Sequence, residues 1–281
     1  MTEAVQQSPP LGFGRLFGRL VLAGLIAGAV AGVFSLLVTE RAMTPALELE
    51  RIRQTTDGGR PAGGEVFSRA TQLVGGFLGT LLAGVALAVV FAVVYGLIRH
   101  RLPGRGDFTR VALLATIGFG VFALLPAVKI PANPPAVGDP GTVGTRTAVY
   151  GAVLLCGVAT AMLVSALVSL LRSRGASVAS TSIAAVVAGA VLLGLVLGLL
   201  PGTPDTIPAD VPASIVWDFR IASLGQLAVL WATLGLLGGW LLDRLERHST
   251  ATHADHPEAS GGVSAPARYA GRRGSPRRRR P

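Results

Sequence analysis

Asp139, Asn133, Lys129 and Arg146 stand at fixed intervals in one segment, 129–150, KIPANPPAVGDPGTVGTRTAVY. A carboxylate, an amide oxygen and the carbonyls that prolines leave free are hard oxygen donors, suited to concentrating and ligating a divalent cation. Pro131, Pro134, Pro135 and Pro140 fall within ten residues here, so neither a helix nor a central strand runs through the segment. Each proline also biases its predecessor toward extended backbone. The segment, with Gly138 among its turn residues, reads as a stiff loop carrying polar groups. A second segment, 201–220, PGTPDTIPADVPASIVWDFR, has the same character and holds Asp205, Asp210 and Asp218, followed by Gln226. The candidate metal ligands are Asp139, Asn133, Asp210, Asp218 and Gln226. A purely structural reading stands beside this one. Asp139 before Pro140 fixes a turn, Arg146 pairs with Asp139 or snorkels to the interface, and Arg220 does the same with Asp218.

Other chemistries lack their residues. The chain has no G-x-x-x-x-G-K-[ST] cradle, no H-E-x-x-H and no G-x-S-x-G, so the motifs for phosphate, zinc and serine chemistry are missing and the chain reads as a non-enzyme. Its only cysteine, Cys156, sits in an apolar run and reads as an inert buried thiol. His248, His253 and His256 with Asp255 and Glu258 form either a weak metal-capturing tail or an accident of composition; their spacing fits no strong zinc pattern. The terminal RRGSPRRRR suits anionic lipid. With only Tyr269 nearby for stacking, nucleic acid is not expected.

The elements that position these residues follow from composition. The chain is 51% hydrophobic and 14% charged over 281 residues, against roughly 25% charge in soluble domains. Charge-free runs cover 20–39, 70–98, 111–128, 147–171, 175–204 and 221–242. About 20 apolar residues cross a bilayer core, so the expected fold is all-α: a polytopic bundle of six transmembrane helices with two proline-rich extracytoplasmic loops. The 175–204 run includes loop residues at 177–182. The first run is too long for most signal peptides and reads as a retained helix. Residues 1–14 read as a flexible lead, 15–245 as the transmembrane domain, and 246–281 as a disordered basic tail.

Loop charge sets the expected orientation. Of the 25 Lys and Arg, 17 fall on the side of the two termini and 8 on the other, which places both termini in the cytoplasm and the proline loops outside. Gly24, Gly28 and Gly32, and the pairs Gly75/Gly79, Gly194/Gly198 and Gly235/Gly239, repeat at four-residue spacing and predict close helix packing. Thr44-Pro45 reads as the start of a short surface helix, Thr44 capping and Pro45 first. It is supported by the pairs Glu48/Arg51 and Glu50/Arg53. Trp217, Phe219, Trp240, Tyr95 and Tyr150 read as interface anchors. Gln72 and Gln226 read as interhelical hydrogen-bond partners. With no charged residue inside any run, conduction is expected over tight proton coupling.

The two proline segments also carry a resemblance. KIPANPPAVGDPGTVGTRTAVY and IPADVPASIVWDFRIASLGQ look like the marked segments of the CbtA family of predicted cobalt transporter subunits, and the likeness runs from about Phe13 to Leu245. It implies a multi-pass inner-membrane protein taking up cobalt for cobalamin biosynthesis, beside a small single-span, histidine-ended partner of CbtB type. By motif position it marks Lys129, Asn133, Pro134, Pro135, Gly138, Asp139 and Arg146, then Asp210, Trp217, Arg220 and Gln226. Two features depart from the family. The 40–69 loop has no histidine, and family descriptions tend to count five spans. The expected function is divalent transition-metal transport with no resident cofactor, the alternative being a scaffold or accessory subunit that transports nothing alone. Lipid, the small partner and a second copy are the expected neighbours.

Overall fold

The computed structural model describes residues 12–56, 68–135 and 137–254, without side chains at 54–56, 140, 246 and 248–254. The expected tail beyond 254, its Asp255, His256 and Glu258, and the side chains of His248 and His253 therefore lie outside the described residues. Eight α-helices are present among them: α1 Phe13–Phe34, α2 Glu40–Thr56, α3 Arg69–Ile98, α4 Asp107–Phe119, α5 Leu125–Lys129, α6 Val143–Ser173, α7 Val178–Leu199 and α8 Ala213–Ala254. π-helical turns at Ser35–Thr39 and Gly120–Leu124 fuse α1 to α2 and α4 to α5. Six stretches are long and apolar enough to span a membrane: Phe13–Arg53, Arg69–Ile98, Asp107–Lys129, Val143–Ser173, Val178–Leu199 and Ala213–Leu245. They coincide with the six charge-free runs. Six crossings return Phe13 and Leu245 to one end, the terminal face. The loops at 130–142 and 200–212 share the opposite end, the loop face, with α2.

Helix α1 lies between α3 and α8, α4 packs on α8, and α6 pairs with α7. The main core joins Leu16, Leu20, Phe91, Tyr95, Val111, Trp231, Leu234 and Leu242. Glycine explains the close approach of α1 to α3. A Cβ on Gly24 would stand 2.7 Å from the Gly84 carbonyl, and one on Gly28 2.8 Å from that of Leu81, so the backbones touch. Gly239 meets α4 in the same way, at the Cα of Phe108 (3.0 Å). The spacing misleads elsewhere: Gly75, Gly79, Gly194 and Gly198 have no neighbour within 4 Å of such a Cβ. Helix α7 is the extreme case, with none of its most apolar stretch buried.

Several local expectations are corrected. Thr44-Pro45 does not start a helix. The helix is continuous from α1, Pro45 lies inside α2, and the Thr44 hydroxyl bonds the Glu40 carbonyl at 2.9 Å. Proline is unfavourable there, but Ala46 is buried and Leu49 packs on the loop-face cluster of Val137, Val211 and Val216, so tertiary packing overrides the local signal. Only Ser177 of the expected 177–182 loop lies outside a helix, as the cap of α7, accepting from Ser180 N at 3.1 Å. Tyr95 is no interface anchor; it is fully buried. Cys156 is half-buried rather than buried. Helix α8 continues through Ala254, past the expected boundary at Leu245.

Candidate functional site on the loop face

The stiff loop is tied down at both ends. Lys129, the last residue of α5, donates to the Leu197 carbonyl at 2.7 Å, meeting a carbonyl in the last turn of α7, where a cation complements the helix dipole. Pro134 is fully buried and Val137 nearly so, while Pro135 is exposed. Val137 N closes a turn onto the Pro134 carbonyl at 3.2 Å. Gly138 then adopts φ +144°, a region only glycine occupies without strain. A Cβ there would lie 3.3 Å from Asp205 Oδ2, so the glycine also makes room for that carboxylate.

Asp205 is the hub. Its side chain is 1% exposed. Oδ2 accepts from Arg146 at 2.7 Å and from Asn133 Nδ2 at 3.1 Å, and Oδ1 accepts from the Thr142 hydroxyl. Arg220 extends the network, donating to Asn133 Oδ1 at 2.8 Å and to the Ala132 carbonyl at 3.1 Å. One carboxylate thus joins the 130–142 loop, the start of α6, the 200–212 loop and, through Asn133, α8. The Thr142 hydroxyl does most to hold the Asp205 carboxyl below the usual carboxylate range; burial pushes the other way, and the Arg146 charge adds to the lowering. Beside the hub, Arg53 of α2 grips Asp210 Oδ2 at 2.6 Å and lowers that carboxyl as well. Glu40 of α2 pairs with Arg69 of α3.

The remaining candidates have separate places. Asp139 turns inward on its own loop, accepting from Gly141 N at 2.8 Å, the structural role weighed for it. The suggested Arg146–Asp139 and Arg220–Asp218 pairs are replaced by Arg146–Asp205 and Arg220–Asn133, because folding brings the second loop onto the first. Asp218 is exposed. Gln226 accepts from the Thr39 hydroxyl at 3.0 Å, the interhelical bond expected of it. Gln72 accepts from Arg69 of its own helix at 3.3 Å. Trp217 is 63% exposed near the start of α8. Among the described residues no three His, Cys, Asp or Glu side chains converge on a metal position.

Sequence reasoning missed two residues. Asp205 was one of several loop aspartates, and nothing local distinguishes it. Asp107 stands in the arginine-rich stretch 99–110, RHRLPGRGDFTR, yet its side chain is 2% exposed. It begins α4 on the terminal face, takes a hydrogen bond from the Tyr95 hydroxyl at 2.7 Å and faces Arg110 at 3.6 Å. The available signal was an acidic residue four positions before the apolar run that begins at 111, the usual first-turn position of a helix.

These features define a multi-pass helical membrane protein with its polar chemistry gathered at the two ends of an apolar bundle. Residues 13–243 match the model of the CbtA family, described as a probable cobalt transporter subunit, and the chain belongs to that family. No curated protein and no solved structure matches it.

Proposed function

We propose that the chain takes up a divalent transition-metal cation, cobalt in the first place, across the cell's inner membrane to supply cobalamin biosynthesis. Both termini are cytoplasmic in this reading, following the Lys and Arg asymmetry, and the loop face is the mouth. The observation that carries it is the buried Asp205 carboxylate, held ionised and neutralised by Arg146. Arg146 is 31% exposed, and its Nε is buried without a partner. An arriving dication competes for the same oxygens, with the Asn133 amide and water completing its shell, and Arg146 retires toward solvent. Asp139, Asp210 and Asp218 add negative potential around the mouth. Gln226 offers a neutral oxygen further along α8. The membrane potential, about 2.3 kcal/mol per charge per 100 mV, drives a dication inward.

The test is radioactive cobalt accumulation in cells stripped of their own uptake systems, expressing this chain alone, beside Asp205→Asn and Asp139→Asn. Loss with Asp205→Asn at normal membrane abundance supports the mouth at Asp205. Unchanged uptake in that variant removes it. A second reading is favoured by α7, which has no partner for its open Gly194/Gly198 face within the bundle. There the chain is a subunit that carries nothing alone and receives a single-span helix of CbtB type, or a second copy, on α7. Gly194→Leu then abolishes co-purification with that helix while Asp205→Asn leaves it intact.

A further inference from the structure

The terminal face repeats the constitution of the loop-face hub. In both places a carboxylate with a side chain 1–2% exposed, Asp205 or Asp107, faces an arginine about 30% exposed, Arg146 or Arg110. In both, the arginine Nε is buried with no hydrogen-bond partner. The terminal pair is the looser, at 3.6 Å against 2.7 Å, and Asp107 Oδ2 is buried with no partner at all. A buried carboxylate oxygen without a donor is costly.

We propose that Asp107 is a second station for a divalent cation, on the terminal face, taken at Oδ2 while Arg110 supplies the countercharge at Oδ1 between visits; the idea rests on the transport reading. Tyr95 sets the geometry. Its ring is fully buried and stacks on Phe91 with centroids 6.5 Å apart, so its hydroxyl is fixed on Oδ1 and leaves Oδ2 as the free ligand. Asp243 of α8 brings a second carboxylate near: its Oδ1 lies 3.9 Å from where a Cβ on Gly106 would be. It is 29% exposed and pairs with Arg247. Arg110 has a path to solvent, so its displacement does not strand a buried charge. The site has oxygen donors and neither His nor Cys, so an ion there keeps several waters and is held weakly. Weak holding is what an exit station needs, since transport requires a site the ion can leave.

The experiment is calorimetric titration of the purified full chain in detergent with Co²⁺ alone as probe, for wild type, Asp107→Asn, Arg110→Gln, Tyr95→Phe and Asp205→Asn, each first shown monodisperse. The proposal expects a weak binding component that Asp107→Asn removes and Asp205→Asn retains. Arg110→Gln, which deletes the competing charge, tightens that component by about tenfold or more. If Asp107→Asn does not fold, Arg110→Gln and Tyr95→Phe decide, because a merely structural Asp107 gives neither a tighter component nor one altered by loss of the hydroxyl. A wild-type isotherm reproduced by Asp107→Asn, or an Arg110→Gln isotherm no tighter than wild type, overturns it. Binding needs no transport, so an Asp205→Asn variant with intact cellular uptake refutes the mouth while the isotherms still decide the station.

Discussion

Asp205→Asn gives the most direct reading of the loop-face hub. Asparagine keeps the shape and replaces one oxygen by a donor. At the Oδ2 position an amide would oppose both Arg146 and Asn133, which are themselves donors. The tolerable rotamer puts it at the Oδ1 position, where the Thr142 hydroxyl can turn and accept. The three contacts then survive, and only the charge is lost. A hydrogen bond to a charged group contributes about 1.5–3 kcal/mol and a neutral one about 0.5–1.5. The bonds from Asn133 and Thr142 to a carboxylate 1% exposed would lose roughly 2 kcal/mol between them by that difference, and Arg146, which keeps its own charge, less. Arg146 is partly solvated, which discounts its share, so the net cost is about 2 kcal/mol. That is roughly a 30-fold rise in the local opening equilibrium. Hydrogen exchange reads it at amides bonded within the loops, Val137, Gly141, Thr142 and Val211. Exchange there should quicken by that factor in the variant, with the α1–α3 core unchanged. A change below about threefold at those amides refutes the hub as the element that holds the loops closed.

Three further outcomes follow from the same geometry. Gly138→Ala strains a residue at φ +144° and sets a methyl 3.3 Å from Asp205; it should cost about 1–3 kcal/mol, read by exchange at the same amides. Gly28→Val should sharply lower the melting temperature in detergent, because its side chain meets the Leu81 backbone, whereas Gly194→Val, with open space around it, should leave it unchanged; equal effects would contradict the assigned packing. Asp205 and Asp210 both have folded carboxyls held below the ordinary 3.8, so their stabilisation is fully present above that value and is lost as pH falls through the lowered folded values. Protection factors in the two loops should therefore hold from neutral pH down to about that range and collapse below it, and a collapse near neutral pH would contradict the assignment.

The bundle was legible in the chain because hydrophobicity and length are local properties. Each span is a charge-free run, and each loop is marked by charge or proline whatever it later touches. The non-helical course of 130–135 and 137–139 and the α1 glycine strip were readable for the same reason. Identical glycine spacing on α3 and α7 predicted packing that did not form, since the spacing describes one face and says nothing about what stands opposite. Pro45 misled because Leu49 is held by Val137, Val211 and Val216, far along the chain.

Pairing was decided only by the tertiary structure. Arg146 has Asp139 seven residues away, yet it bonds Asp205, 59 residues on. Asp107 lies among the arginines of 99–110, yet α3 and α4 close over it. Charge and apolarity along the chain placed six helices in a membrane. Which carboxylates left water, and which arginine met each, depended on how those helices came together, because an ion pair is fixed by distance and desolvation, and a linear sequence specifies neither.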